Sequence, residues 1–182
     1  MVAYAVLKEK INNPIKYPLA ILNRFLRFIP AYFVAIMIYY TIFPHLGSGP
    51  SWKPSLAGVP ACDHMWRSLL FVDNLIDNGA SQCLGWGWYL QNDMQIFIYS
   101  IFILLIYRWN KFASYVTIVW SIAASFIFSM VSTYVNGYHH PTHIDDFNTW
   151  NVYMVDVYIK PWARCPPYLY GLLLGMMYTN FL

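Results

Sequence analysis

The sequence predicts an all-α membrane protein of about four transmembrane helices, part of a larger multi-helix bundle, with two long lumenal loops. Two observations favour this class. Of the 182 residues, 59% are hydrophobic, 20% are aromatic and only 10% are charged, whereas a soluble domain carries about 25% charged residues. Long apolar runs recur along the chain, near the length of about 20 residues that a crossing helix needs. We therefore expect these helices to be surrounded by membrane lipids.

The four expected spans cover residues 25–43, 90–107, 112–135 and 167–182. Pro14 and Pro18 are expected to break any helix before the first span. The fourth span is short for a crossing, but Gly171 and Gly175 form a GxxxG pair suited to close helix contact. Small residues on one face of the third span predict packing against a neighbouring helix: Ser114, Ser121, Ala124, Ser125 and Ser132.

Two long loops separate the spans, at residues 44–87 and 136–166. The first begins with closely spaced prolines and glycines, so its first part is expected to be irregular. Within it, residues 63–75 are expected to form a short amphipathic helix on the membrane or against the other helices.

Charge predicts the orientation of the spans, because positively charged residues favour the cytoplasmic side. The side with the N-terminus carries seven cations: Lys8, Lys10, Lys16, Arg24, Arg27, Arg108 and Lys111. The other side carries four cations and every Asp and His: the cations are Lys53, Arg67, Lys160 and Arg164. We therefore expect a multi-pass protein with a cytoplasmic N-terminus and with both long loops in the lumen or outside the cell.

The three cysteines, Cys62, Cys83 and Cys165, then all lie on the oxidising side, where disulfides persist. A bridge from Cys62 to Cys83 would close a short loop, and we favour this pair over any pairing with Cys165. Sequence alone does not fix the connectivity.

Polar residues gather at the start of the second span, where Trp86 and Trp88 precede Gln91, Asp93 and Gln95. A carboxylate and amides are costly at the mouth of an apolar helix unless they face protein or water. This pattern predicts a polar pocket at the membrane surface. The alternative is a girdle of interfacial residues, in which Trp and Tyr set the depth of the helix.

Arg24 and Arg27 lie three residues apart at the start of the first span, so a helix places them side by side. Paired guanidinium groups suit bidentate binding of phosphate. Anchoring to anionic lipid is the competing interpretation. Lys160 and Arg164 are read as interfacial anchors that could also neutralise Asp93 or Asp156.

Residues 139–146 hold metal-ligand types, at His139, His140, His143, Asp145 and Asp146. Pro141 interrupts regular structure and the spacing matches no zinc signature, so we expect a solvated polar loop and no metal site. A pH-sensing role for the histidines is the other open interpretation. The net charge of +3 is small, so a nucleic-acid partner is not expected. The sequence has no Gly-rich phosphate loop and no CxxC or HExxH pattern.

Several segments together resemble one protein family. The run CLGWGWYLQNDMQIFIY resembles the C-x-G-W-x-W-Y-L-x-N-D-M-Q-F segment of the nose-resistant-to-fluoxetine proteins, the invertebrate branch of the membrane acyltransferase-3 family. NRFLRFIPAY, MWRSLLFVDN and VYIKPWARCPPYLYGLLLG resemble further segments of that family in the same order, and VAYAVLKEK precedes them. The resemblance covers nearly all of residues 1–182, read as a partial acyltransferase-3-like membrane domain.

The resemblance implies transfer of an acyl group, not an aminoacyl group, from an acyl-CoA-type donor to a lipid, sugar or small-molecule acceptor. It implies that Arg24 and Arg27 hold the donor, that Asp93 matches an acidic position of the family, and that no cofactor is needed beyond acyl-CoA as substrate. The catalytic residue is unknown, because the family's catalytic His would precede Met1, so this chain is expected to be a fragment or a truncated copy. The alternative function is a non-enzymatic membrane protein that binds or transports lipids or small hydrophobic molecules.

Overall fold

A computed structural model describes residues 16–50, 52, 56, 58–76, 82–138 and 152–181. Five α-helices are described, and no strand occurs among these residues: α1 Lys16–Met37, α2 Met65–Leu69, α3 Trp88–Trp109, α4 Lys111–Asn136 and α5 Pro161–Phe181. Shorter helical turns complete the structure: π-helices at Ile38–Ile42 and Met154–Tyr158, and 3-10 helices at Phe43–His45 and Pro60–His64.

Three stretches in the described part of the chain are long and apolar enough to cross a membrane: Tyr17–His45, Trp88–Trp109 and Lys111–Asn136. They contain the first three predicted spans, and the all-α membrane class is confirmed. Helix α5 covers the predicted fourth span and begins earlier, at Pro161, but it is not among these three. A fourth crossing and the orientation of the chain stay predictions.

Helix α1 begins at Lys16, nine residues before the predicted start of the first span at residue 25. The expectation that Pro18 breaks this stretch is wrong, because Pro18 lies in the first helical turn, where backbone N–H groups have no partner within the helix. After Met37 the helix loosens into a π-helix and then tightens into a 3-10 turn that ends at His45.

The chain divides into two compact units, Leu22–Met94 and the remainder, and the division falls within α1 and α3. In the larger unit, α3, α4 and α5 share a core of buried aliphatic and other apolar side chains: Ile96, Ile103, Leu104, Tyr107, Ile118, Ile122, Cys165, Leu169, Leu172 and Met176. For helices surrounded by lipid, such packing is stabilised mainly by van der Waals contacts and hydrogen bonds between helices, because lipid tails are as apolar as these side chains.

The link between α3 and α4 is a single residue, Asn110, which has an extended conformation. Its side chain accepts a hydrogen bond of 3.2 Å from the backbone N–H of Ala113, as an N-cap does. Gly137 ends α4 with φ at +62°, the left-handed conformation that glycine adopts most easily.

Two serines of the predicted small-residue face of α4 hydrogen-bond to α3. Ser114 Oγ donates to the Ile103 carbonyl at 3.2 Å, and Ser121 Oγ lies 2.6 Å from the Tyr99 hydroxyl. Ser125 is buried on the same face. Ala124, however, is exposed, and a Cβ on Gly171 would meet nothing within 4 Å, so close GxxxG contact does not occur at that glycine.

The predicted helix at 63–75 is wrong in length. Helix α2 ends at Leu69, and the chain turns at Phe71, whose φ is +59°. A non-glycine residue with positive φ does not continue a right-handed helix. The second predicted loop also ends earlier than expected, because Met154–Tyr158 is a π-helix and α5 starts at Pro161.

Candidate functional site

An ion pair joins α1 to the start of α3 within the Leu22–Met94 unit. Arg24 Nη2 lies 2.5 Å from Asp93 Oδ2, and the two side chains are 22% and 27% exposed. The Arg24 guanidinium also lies 5.5 Å from the centre of the Phe28 ring. A charged hydrogen bond that is partly shielded from water holds Arg24 in one orientation.

Arg27 differs from Arg24 in its surroundings. It lies on the exposed surface of α1, whereas Arg24 is half-buried. Residues three apart are neighbours on a helix, so one guanidinium is held by Asp93 and the next faces outward. The two arginines predicted to bind a donor are therefore side by side but not equivalent.

A buried network of amides lies beside this ion pair. The backbone N–H of Asn74 donates to Gln91 Oε1 at 2.8 Å, and Asn74 Nδ2 donates to Asn92 Oδ1 at 2.7 Å. All three side chains are almost completely buried. Buried amides of this kind stabilise one arrangement only when their hydrogen bonds are made.

The network extends to α1 and to α2. Gln91 Nε2 donates to the Tyr32 hydroxyl at 3.5 Å, which is at the long limit of such a bond. Ser68 Oγ donates to Asp73 Oδ2 at 2.5 Å, and both residues are buried. The hydrogen bond lowers the cost of burying the Asp73 carboxylate.

Phe71 packs the same segment onto α1. It is buried, its ring stacks on Tyr32 with 5.8 Å between ring centres, and Phe25 meets it edge-on at 5.6 Å. The segment from Met65 to Asn74 is therefore held by aromatic contacts to α1 and by amide hydrogen bonds to α3.

The side chains predicted to form one polar pocket lie on different faces of α3. Gln91 and Gln95 are four residues apart and share a face, whereas Asp93 lies between them on another face. Gln91 is fully buried, and Asp93 and Gln95 are half-buried. Trp86 is exposed and contacts Tyr39 edge-on at 5.6 Å.

The predicted disulfide between Cys62 and Cys83 is confirmed. Both cysteines are buried, and Cys165 is a buried free thiol in the other unit. The bridge closes the stretch that carries Ser68, Asp73 and Asn74, so it restricts the polar network as well as the loop.

A second polar cluster lies in the larger unit, between the end of α4 and the start of α5. The Tyr138 hydroxyl donates to Asp156 Oδ2 at 2.9 Å. Arg164 Nε donates to the Tyr158 carbonyl at 2.9 Å, with its guanidinium carbon 3.6 Å from the Tyr158 ring centre. Burial lowers the pKa of Lys160, and the nearby Asp156 carboxylate opposes that shift.

The charge partners proposed for Asp93 and Asp156 can now be compared with the structure. Asp156 acts electrostatically on Lys160, as proposed from the sequence, and Asp93 pairs with Arg24. Among the described residues, no group of His, Cys, Asp and Glu could hold a metal ion. The cluster of histidines and aspartates at 139–146 lies outside the described residues.

Sequence reasoning did not single out Tyr32, Ser68, Asp73 and Asn74. A signal was present in MWRSLLFVDN, because Asp73 and Asn74 follow directly on an apolar run. Two polar residues after such a run are typical of a turn, and only the fold shows that they are buried and paired.

No protein-family model matches the chain, and no solved structure matches it. Two proteins of Caenorhabditis elegans are similar to it. Nose resistant to fluoxetine protein 6 is 27% identical over 168 residues, which is 88% of this chain and 20% of that protein. Regulator of hypoxia-inducible factor 1 is 31% identical over 171 residues, which is 85% of this chain and 33% of that protein. The chain thus spans a fifth and a third of these two relatives, and the similarity supports a relationship to the nose-resistant-to-fluoxetine proteins.

Proposed function

We propose that this chain is part of a multi-pass membrane acyltransferase that moves an acyl group from an acyl-CoA-type donor to a lipid, sugar or small-molecule acceptor. The similarity to nose resistant to fluoxetine protein 6 supports this proposal, together with the motif resemblance described above. The proposal does not depend on the predicted orientation of the spans, which puts the starts of the first and second spans on opposite sides of the membrane although Arg24 and Asp93 are in contact.

The observation that carries the proposal is the arrangement of Arg24 and Arg27. Arg27 offers an exposed guanidinium, and Arg24 beside it is oriented by Asp93. Guanidinium groups suit the phosphates of a CoA-type donor because they can form two parallel hydrogen bonds. In this role Arg27 makes the first contact with phosphate, and Arg24, whose charge Asp93 balances, adds N–H donors at a fixed position.

In the proposed reaction, the acceptor oxygen or nitrogen bonds to the acyl carbon, the thioester C–S bond breaks, and the acceptor proton passes through a base to the CoA thiolate. The base belongs to a part of the enzyme outside this chain, as the resemblance implies. The chain itself supplies donor binding through its two arginines. Asp93 orients Arg24, and the polar pocket of Gln91, Asp93 and Gln95 stays a prediction.

The test is binding of radiolabelled acyl-CoA to membranes containing the protein. Arg27→Ala should weaken binding about tenfold or more, since a charged hydrogen bond contributes about 1.5–3 kcal/mol. Arg27→Lys should restore only part of the affinity, because an ammonium group lacks the planar fork. Arg108→Ala is the matched control, an exposed arginine at the other end of α3. Binding that is unchanged in Arg27→Ala would rule out the donor role.

A second function rests on the pairing of Arg24 with Asp93, which already neutralises one of the two cations. In that case the chain binds or transports lipids or small hydrophobic molecules without acyl chemistry. Ligand binding or flux that needs no acyl-CoA and survives replacement of both arginines would favour this function over acyl transfer.

A further inference from the structure

We infer that Asn74 is a positioning residue: through Gln91 and Asn92 it fixes the rotation of the start of α3, so that Asp93 meets Arg24. The inference concerns the region between the disulfide and α3, and its link to donor binding rests on the function proposed above. It assigns a role to a residue that lies outside both helices, in the segment between α2 and α3.

The first step is the double contact of Asn74 with consecutive residues of α3. Its backbone N–H binds the side chain of Gln91 at 2.8 Å, and its side-chain amide binds that of Asn92 at 2.7 Å. Successive residues of an α-helix point about 100° apart. One residue that holds two successive side chains therefore fixes how the helix is turned about its axis.

The second step follows from the position of Asp93, the next residue along. With Gln91 and Asn92 turned inward and buried, Asp93 points a further 100° around the helix. There its carboxylate is partly exposed and lies 2.5 Å from Arg24 Nη2. A small rotation of this turn would move the carboxylate away from the guanidinium.

The third step concerns what holds Asn74 itself. It follows Asp73, whose carboxylate accepts a hydrogen bond from Ser68, and the buried Phe71 ties the segment to α1 through Tyr32. Gln91 also reaches the Tyr32 hydroxyl. The contacts form a closed path from α1 through Asn74 to α3 and back to α1 at Arg24, so the position of Asp93 does not depend on α3 alone.

The proposal is tested by measuring whether the Arg24–Asp93 interaction depends on Asn74. Arg24→Gln, Asp93→Asn and their combination are made in the parent protein and again in an Asn74→Ala background. The full protein is purified in detergent, and its apparent melting temperature is measured. In the parent, the effect of the double variant should be clearly smaller than the sum of the two single effects, because both remove the same interaction.

In the Asn74→Ala background this non-additivity should disappear. A Ser114→Ala background is the matched control, because Ser114 is also fully buried and hydrogen-bonded but lies in the other unit, and the non-additivity should persist there. If Asn74→Ala does not fold, Asn92→Ala replaces it, since it removes the same side-chain hydrogen bond from the other partner, and both variants keep the bond from the Asn74 backbone N–H to Gln91. If the non-additivity in the Asn74→Ala or the Asn92→Ala background is as large as in the parent protein, the proposal is overturned.

Acyl-CoA affinity separates this inference from the proposed function. If both are correct, Asn74→Ala weakens acyl-CoA binding as much as Arg24→Gln does, and the two changes together weaken it no further. A parent protein that binds no acyl-CoA contradicts the proposed function, while the melting experiment still decides the role of Asn74. Arginine-dependent binding that Asn74→Ala leaves unchanged contradicts the role of Asn74 alone.

Discussion

The hydroxyl of Tyr32 lies directly against Gly87, in the space that a Cβ atom on Gly87 would occupy. Gly87 ends the turn before α3, and its carbonyl accepts hydrogen bonds from Leu90 and Gln91. The same Tyr32 hydroxyl accepts a hydrogen bond from the side chain of Gln91. The lack of a side chain at residue 87 therefore allows α1 to approach the first turn of α3.

Gly87→Ala should destabilise the protein by about 1–3 kcal/mol, because an added methyl group forces a close-packed contact apart. Gly85→Ala is the control, since a Cβ there would meet nothing within 4 Å. Adding Tyr32→Phe to Gly87→Ala should recover part of the loss by removing the clashing oxygen. Thermal unfolding in detergent measures all three, and equal melting temperatures for the two alanine variants would contradict the contact.

Phe71 offers an unusual comparison between alanine and glycine. Phe71→Ala should cost about 3–5 kcal/mol through lost packing against Tyr32 and Phe25. Phe71→Gly loses the same ring but adopts a φ of +59° without the Cβ penalty. Glycine should therefore be the more stable variant, by about 1 kcal/mol. If alanine proves the more stable replacement, as it is in ordinary helices, then residue 71 does not have this conformation.

Loss of the disulfide should destabilise the loop that carries Asn74. Cys62→Ser or Cys83→Ser should cost about 3 kcal/mol by the chain-entropy account of a loop of this size. Cys165→Ser is the comparison, since that cysteine is a free thiol. Mass spectrometry of non-reduced membranes should find residues 62 and 83 in one linked peptide pair, and a free thiol at residue 62 would show that the bridge does not form.

The second polar cluster predicts two opposing effects of alkaline pH on stability, one from Lys160 and one from Tyr138. Burial lowers the pKa of Lys160 below its usual 10.5, so the unfolded chain holds that proton more tightly and stability rises as the pH approaches 10.5. Burial and the hydrogen bond to Asp156 raise the pKa of Tyr138 above its usual 10.0. The folded protein holds this proton more tightly, so stability falls as the pH rises beyond 10.0.

Lys160→Met should remove the rise in melting temperature and leave the fall, whereas Tyr138→Phe should remove the fall and leave the rise. Arg164 and Tyr158 face the same cluster and keep their contacts in both variants. An unchanged pH profile in both variants would show that other groups set the alkaline response.

Much of the fold was predictable because membrane helices are specified by local composition. The apolar runs gave α3 and α4 to within a few residues. The start of α1 was missed because of Pro18. A proline is compatible with the first turn of a helix but breaks a helix interior, and the sequence alone does not show in which of the two positions Pro18 lies.

The candidate site was less predictable, since it depends on contacts between residues far apart in sequence. Arg24 and Asp93 were each singled out, but their pairing across 69 residues required the fold. Asn74 carries no pattern of its own, and its role follows only from the two side chains of α3 that it meets. The amphipathic helix predicted at 63–75 ends early, and the chain turns at Phe71 with a positive φ. No glycine, proline or asparagine directly beside Phe71 indicates such a turn in the sequence.

The one-residue junction at Asn110 has a consequence for how the protein is made. Because a single residue separates α3 from α4, we expect the two helices to enter a bilayer together, as a hairpin. Arg108 and Lys111 then remain together on one face of the bilayer, and reversing one helix would require reversing its partner. Errors of membrane insertion in this part of the chain should therefore invert α3 and α4 together. No product should have only one of the two helices inverted.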